Sequence, residues 1–458
     1  MGNKVGKSSK KKPCWELNKT TTANLPSRPL RHLRFPSSKW GYLSNSARIV
    51  SQLHHRRNGV FDQDRVEYGE EIRCCVFAPD DECTILTTSN PNFGPNVRLE
   101  EGLGHFRIFD VPQQRPKKEI ITYYSQECDI STDGDLIAFV MNASKGEVAQ
   151  LKRNRTSPSG VSEKLAKFHP ECNGFTGQTM ICKFAPDSSA LLSAACVDFH
   201  TIRETNELRV WSVKSMNLVK SVVLRDLSDF CGFVTSCNFS PDGTLIAFST
   251  SQEQLCVLNS KTLEKVCVLR KRCRGNKCWC VFDPRYKNQV LACCLQDGRI
   301  ELWHRDQMTL PHPSSGYNDS CVSYTCHKQQ RVTSTSRLYS CQYSPDGMYL
   351  AIGTSEAKVL LLHPDTLTQI MVLDCKAVSA PTDGMVQSAI IHCISFSKSC
   401  QYLAAGYNDS VVRVWQMPMR FDLQHMCRTA ILQFVPANRV YALPLPSSLK
   451  NYLLYWPQ

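Results

Sequence analysis

Cysteine and histidine residues lie close together in two segments, where thiolate and imidazole groups could bind a metal ion. They are Cys267, Cys273, Cys278 and Cys280 in the first segment and Cys321, Cys326 and His327 in the second. The C-x4-C-x-C spacing of the first group matches no usual zinc pattern. The second group lies in a Ser-, Pro- and Tyr-containing segment that predicts a loop. We therefore predict no metal site.

The glycines near the N-terminus suggest phosphate binding at first sight. Gly2, together with the triplet Gly6-Lys7-Ser8, resembles a phosphate-binding loop, but the spacing is one residue too short and no strand precedes it. No Gly-x-Ser-x-Gly or His-Glu-x-x-His motif occurs elsewhere in the sequence. The sequence therefore supports neither an enzyme activity nor a cofactor.

One short pattern recurs seven times and accounts for most of the chain. It consists of a Cys or aliphatic residue, any residue, an aromatic residue or Ile, a small residue, and then Pro-Asp or a relative of it. The aromatic or Ile positions are Phe77, Ile130, Phe184, Phe239, Phe282, Tyr343 and Phe396. Repeats of this length indicate one small sheet per unit. The repeated Cys is most simply a small buried apolar side chain.

Each unit predicts a strand, a Pro-Asp-Gly turn and a returning strand, and most units close with a third strand such as residues 208–211 or 411–415. The second unit offers only residues 147–151 for its third strand, and the basic stretch 152–167 predicts a mobile loop. The seventh unit leaves too few residues after Trp415 for a fourth strand. We predict that residues 46–54 supply it and so remove an exposed sheet edge.

The formal net charge of +13 over 458 residues is concentrated at one end. Residues 1–60 contain thirteen Lys and Arg against one acid, so the rest of the chain is nearly neutral. This basic arm, rather than the body, is expected to meet an acidic partner. No apolar run reaches the roughly 18 residues of a membrane helix, which predicts an intracellular, cytoplasmic protein.

The arm allows three interpretations. Gly2 is a candidate for myristoylation, although Gly6 stands where Ser or Thr is preferred, and the basic run from Lys7 to Lys12 would add attraction to an anionic membrane. A basic tail for nuclear import or RNA contact is a second interpretation, and a solvated tail is the third. Nucleic-acid binding would show a steep dependence on salt. An unmodified Gly2 in the mass spectrum of the mature N-terminus would exclude acylation.

An apolar stripe follows the last repeat. Leu423, Cys427 and Ile431 are spaced at i, i+4 and i+8, and Met426 and Ala430 fill the same face of a predicted helix. Such a face needs a partner, which is either the repeat region itself or another protein.

A second motif lies twelve residues beyond the stripe. Leu443, Pro444, Leu445 and Pro446 form a Leu-Pro-Leu-Pro segment, and residues 447–455 predict a helix that Ser447 or Ser448 could cap. The two prolines predict a stiff, extended segment that presents the two leucines.

These features resemble the WD-repeat and SOCS-box-containing protein family over about residues 69–458. The resemblance implies an all-β fold, a seven-bladed WD-repeat β-propeller, followed by a small α-helical SOCS box. It divides the chain into a basic arm (1–45), a propeller (46–418) and a SOCS box (419–458). The stripe resembles the Elongin C-binding BC box, and the Leu-Pro-Leu-Pro segment resembles the cullin box.

By this resemblance, the SOCS box recruits Elongin C with Elongin B, and then cullin-5 with its RING partner. The propeller would hold an unknown protein substrate for ubiquitination, and the chain itself would be non-catalytic. The alternative is a non-ligase propeller scaffold for protein interactions, tethered at a membrane by its arm. Nothing in the sequence selects the substrate-binding residues.

Overall fold

Seven four-stranded antiparallel blades, one for each repeat, make up most of the described part of the chain, and a single parallel pairing of Tyr123 with Asn142 joins the first two blades into one sheet. The computed structural model describes residues 48–54, 70–91, 103–123, 125–142, 147–153, 161–168, 177–197, 205–227, 232–270, 277–306, 323–374, 389–418, 431, 435, 440 and 442–453. The inner strands of neighbouring sheets contact one another around a ring. This is a seven-bladed β-propeller, which confirms the predicted fold class.

The strands follow chain order within each blade, except that the first strand of the described chain belongs to blade 7. Blades 1 to 3 contain β2 (Glu70–Ala78), β3 (Asp81–Pro91), β4 (Leu103–Asp110), β5 (Arg115–Tyr123), β6 (Cys128–Ile130), β7 (Leu136–Asn142), β8 (Glu147–Arg153), β9 (Val161–Phe168), β10 (Gly177–Phe184), β11 (Ala190–Val197), β12 (Thr205–Ser212) and β13 (Leu218–Val223). A short helix α1 (Leu224–Leu227) follows β13.

Blades 4 to 7 repeat the same order. They contain β14 (Val234–Phe239), β15 (Leu245–Thr250), β16 (Leu255–Asn259), β17 (Lys265–Arg270), β18 (Cys278–Phe282), β19 (Val290–Leu295), β20 (Arg299–Arg305), β21 (Tyr324–Arg331), β22 (Leu338–Tyr343), β23 (Leu350–Thr354), β24 (Lys358–Leu362), β25 (Gln369–Asp374), β26 (Ile391–Phe396), β27 (Tyr402–Tyr407) and β28 (Val411–Gln416). The described part of the chain beyond the propeller includes α2 (Ser447–Leu453).

The apolar core lies between the blades rather than inside any one of them. Among the described residues, seven buried clusters form, one at each seam between neighbouring blades. The repeat anchors are buried, except that Phe239 is only partly buried. The repeated cysteines behave as predicted: Cys75, Cys128, Cys182, Cys237 and Cys280 are at most 2% exposed, whereas Cys341 is partly buried. Each seam therefore depends on residues from two repeats.

The Pro-Asp-Gly turns form as predicted. In blade 4, Ser240 donates its hydroxyl hydrogen to Asp242 Oδ1 (2.6 Å), and the N–H of Gly243 donates to the Ser240 carbonyl oxygen (2.8 Å). Gly243 has a φ of 72°, a left-handed conformation that glycine adopts without steric cost. The turn thus fixes the register between the inner strand and the strand that follows it.

The closing strand is the one that the sequence predicts. β1 (Arg48–His54) pairs antiparallel with β28, so the start of the described chain completes blade 7. Leu53 is fully buried in the seam between blades 7 and 1, where it lies in one cluster with Val412 and Ile72. Ser51 donates its hydroxyl hydrogen to the carbonyl oxygen of Val111 in blade 1 (3.0 Å). One strand therefore holds both ends of the ring.

Two loop predictions were wrong. The second unit is a full blade, because residues 152–167 contribute Lys152 and Arg153 to β8 and the greater part of β9. Likewise, Cys326 and His327 belong to β21 rather than to a loop. Outer strands are solvated along most of their length, as the exposed residues of β5 and β21 show, so they lack the apolar alternation that marks inner strands.

We expect truncation of β1 to destabilise the propeller. Removing residues 1–58 should lower the thermal unfolding temperature by several degrees or more, because it exposes the β28 edge and empties the seam around Leu53. Removing residues 1–45, which spares β1, is the matched control and should have little effect. Leu53→Ala in the full chain should cost about 2–5 kcal/mol of unfolding free energy. Equal melting temperatures for the two truncations would contradict the closure.

Candidate functional sites

Five of the inner strands carry a β-bulge at the same repeat position, near the strand's start. The pairing register skips Arg73 in β2, Met180 in β10, Thr235 in β14, Tyr339 in β22 and His392 in β26. Each of these residues lies two positions before the repeated Cys or Ile. Because the inner strands run in the same direction around the ring, their starts meet at one mouth of the channel. A bulge re-aims its side chain, which makes this mouth a candidate binding site.

Aromatic rings join blades 5, 6 and 7 across this mouth. The ring centroids of Trp279 and Tyr339 are 6.1 Å apart, and those of Tyr339 and His392 are also 6.1 Å apart, in an edge-to-face arrangement. All three side chains are only partly buried. They form a partly exposed apolar surface on one side of the channel.

Two cations flank this aromatic surface. Arg73 forms an ion pair with Glu71, whose Oε2 lies 3.9 Å from His392 Nε2. Lys277 Nζ lies 4.9 Å from the centre of the Phe233 ring. Burial, and then the charge of Arg73, lowers the pKa of Lys277 from its ordinary value, so Arg73 and Lys277 share one electrostatic environment. We call Glu71, Arg73, Lys277, Trp279, Tyr339 and His392 the mouth cluster.

His392 is neutral in this setting. Burial, followed by the charges of Arg73 and Lys277, lowers the pKa of its imidazole to about 3. Two polar atoms of the cluster, Arg73 Nε and His392 Nε2, are buried without a hydrogen-bond partner in the described part of the chain. A buried polar atom without a partner is costly, which indicates atoms that a ligand can satisfy.

A second charged group links blades 2 and 3. Lys183 Nζ lies 2.6 Å from Glu127 Oε1, and Asp129 Oδ2 accepts a hydrogen bond from the backbone N–H of Phe184 (2.8 Å). Burial is the largest influence on both acids and raises the pKa of Glu127 and that of Asp129. These contacts join two blades, so we interpret this group as structural.

The sequence did not single out the mouth cluster. Its signal was present nonetheless, because aligning the repeats on Cys75, Cys182, Cys237, Cys341 and Ile394 brings the bulge residues into one column. That column varies between Arg, Met, Thr, Tyr and His, whereas the core columns stay apolar. Variation at a fixed place on a repeated scaffold is typical of a binding surface.

The cysteine segments considered for metal binding contain core residues. Cys278 and Cys280 are buried in the seam between blades 4 and 5, with Cys267 packed against it. The rings of His304 and His327 are 4.6 Å apart on the outer face of blade 5. The described ranges contain no group of three or more potential ligands arranged to hold a metal ion. Cys273 and Cys321 lie outside the described residues.

The apolar stripe is described only at one position. Leu423, Met426, Cys427 and Ala430 lie outside the described residues, as do Gly2 and the rest of the basic arm. Ile431 is helical, accepts a hydrogen bond from the N–H of Val435 (2.9 Å) and is 37% exposed. The assignments of the stripe and of the arm stay predictions. No helix of the described ranges is long and apolar enough to cross a membrane.

The Leu-Pro-Leu-Pro segment is bent rather than extended. The N–H of Leu443 donates to the Val440 carbonyl oxygen (3.2 Å), and the N–H of Leu445 donates to the Leu443 carbonyl oxygen (2.8 Å). The extended conformation that we predicted is therefore wrong, because these local hydrogen bonds tighten the backbone into turns. Leu443 and Leu445 are half-buried, whereas Pro444 is exposed.

Helix α2 begins directly after this segment. Its first backbone bond runs from the N–H of Lys450 to the carbonyl oxygen of Pro446 (3.1 Å), so Pro446 takes the capping position and Ser447 and Ser448 lie in the first turn. The predicted serine cap is corrected accordingly. Leu453 is buried, whereas Leu449 is 48% exposed and leaves an apolar side chain at the surface.

Comparison with known proteins identifies both parts of the chain. The SOCS box family matches residues 421–454, and the WD domain, G-beta repeat family matches residues 383–416. The chain is similar to proteins named WD repeat and SOCS box-containing protein 1 from zebrafish (24% identical), human (25%) and mouse (28%). The alignments cover 54%, 54% and 59% of this chain and 63%, 64% and 58% of the relatives.

The chain thus spans somewhat less than two thirds of the length of these relatives. Seven described blades, a WD repeat match in the last of them and a SOCS box match after it confirm the resemblance predicted from the sequence. The chain therefore has a seven-bladed propeller whose last blade matches the WD repeat family, followed by a segment that matches the SOCS box family, and its relatives are named for the same two features.

Proposed function

We propose that this chain is the substrate-recognition subunit of an Elongin BC–cullin–RING ubiquitin ligase. Its propeller binds a protein substrate, and its SOCS box recruits Elongin C with Elongin B and then cullin-5 with its RING partner. The chain is a non-catalytic adaptor in this proposal. The observation that carries the proposal is the SOCS box match over residues 421–454, which includes both the predicted stripe and the Leu-Pro-Leu-Pro segment.

Exposed apolar side chains in the SOCS box support a role in protein binding. Ile431, the last member of the stripe, and Leu449 in α2 are both large apolar residues that keep more than a third of their surface exposed. A helix that presents an apolar row can fill a groove on a partner, with Leu423 as the main anchor and Cys427 where a larger side chain would clash. This arrangement would leave the propeller free to hold a substrate.

The Elongin C contact is tested by a charge pair placed in the stripe. Leu423→Asp with Cys427→Asp should weaken Elongin C capture by about a hundredfold or more, because carboxylates buried without partners cost several kcal/mol. His425→Asp with Thr429→Asp is the matched control, since helical spacing places these residues on the opposite side. Quantitative pull-down with purified Elongin B and Elongin C gives the measurement. Unchanged capture by the stripe variant would leave a non-ligase scaffold as the better account.

The cullin contact is tested separately. Leu443→Ala with Leu445→Ala should lower the affinity for cullin-5 by about tenfold, because two half-buried apolar side chains lose their contacts. Elongin C capture should not change. Ser447→Ala with Ser448→Ala alters two exposed neighbours and is the control. If cullin-5 binds equally well to the natural chain, the leucine variant and the serine variant, the assignment of the Leu-Pro-Leu-Pro segment as the cullin contact is wrong.

A further inference from the structure

We propose that the mouth cluster binds an acidic peptide segment of a protein. A carboxylate of the peptide lies between Arg73 and His392. An apolar side chain of the peptide packs beside it on the rings of Tyr339 and Trp279. This inference deepens the proposed receptor function and rests on it only in calling the bound protein a substrate.

Geometry supports the carboxylate subsite. Arg73 is 28% exposed and His392 17% exposed in their side chains, so part of each side chain is open to the channel mouth, and a small side-chain shift would bring their buried nitrogens to a ligand. Arg73 Nε and His392 Nε2 lack hydrogen-bond partners in the described ranges. Glu71 engages the guanidinium of Arg73 but lies 3.9 Å from His392 Nε2, beyond hydrogen-bond distance. A carboxylate has two oxygens and can accept from both unsatisfied nitrogens.

The net charge of the mouth cluster favours binding of an anion. Arg73 and Lys277 contribute two cations, Glu71 contributes one anion, and His392 is neutral because its pKa is lowered to about 3. The cluster therefore has a surplus of positive charge. An incoming carboxylate would relieve the repulsion between Arg73 and Lys277, which already lowers the pKa of Lys277.

The aromatic surface of the mouth cluster favours a peptide ligand over a nucleic acid. Trp279 and Tyr339 offer half-buried ring faces next to the charged side of the mouth. Rigid rings that surround a few polar groups are typical of protein-binding hot spots. Single-stranded nucleic acid instead needs a groove with a run of cations, and this cluster holds only two cations, one of which is paired with Glu71.

Selection from random peptides tests the proposal with the full-length chain. Two synthetic octapeptide libraries serve as probes, one with a free C-terminal carboxylate and one with an amidated C-terminus. The variant is Arg73→Gln with Lys277→Gln. The control is Lys214→Gln with Lys220→Gln, which removes the same charge from exposed positions on the outer part of blade 3.

We expect peptides captured from the amidated library to be enriched in Asp and Glu next to apolar residues. The mouth variant should retain these peptides about tenfold less well, and the control should match the natural chain. Stronger capture of the free-carboxylate library than of the amidated library would support the same subsite with the C-terminal carboxylate of a peptide as its ligand. Equal thermal unfolding and unchanged Elongin C capture by the variant would show that it is folded and that its SOCS box is intact.

Three results would overturn the proposal. They are equal capture of the two libraries with no acidic enrichment in either, equal enrichment by the mouth variant and the natural chain, and a preference for single-stranded RNA over the captured peptides. The outcome is separate from the proposed function, because peptide capture is measured without Elongin C. A chain that selects acidic peptides but fails to bind Elongin C would retain this site and lose the ligase role.

Discussion

The pairing of β1 with β28 is the constraint on which the propeller depends. Blade 7 reaches four strands only because its outermost strand comes from the start of the described chain. Leu53 and Ser51 of this strand also contact residues of blade 1. The two ends of a long chain are therefore held together at one seam, and the other six seams can close around the channel. The position of every inner strand at the mouth follows from this closure.

The inner strands perform two tasks at different positions. Alternate residues such as Cys75 and Phe77 fill the seams, which makes them uniform from repeat to repeat. At the bulge two residues before the repeated Cys, one side chain does not have to fill the seam. The residue type at this position changes from blade to blade. In the proposed receptor, stability and recognition are thus encoded on the same strand without competing for the same position.

Much of this fold was predictable because the core is periodic. The seven anchors, the Pro-Asp-Gly turns and the closing strand were all found from local patterns and from the number of residues after Trp415. The outer strands β9 and β21 were missed, since a solvated strand carries no apolar alternation. The mouth cluster was missed for another reason: it joins Arg73, Lys277 and His392, which are up to 319 residues apart and become neighbours only when the ring closes.

The proposed receptor unites a capture surface and a recruitment surface on one chain. Its most direct test is mass spectrometry of proteins labelled by proximity to the full chain and to a chain that lacks residues 419–458, with counting of ubiquitin remnants on each labelled protein. The account predicts that some labelled proteins carry more ubiquitin and are less abundant when the SOCS box is present. Equal ubiquitination and equal abundance with both chains would contradict it.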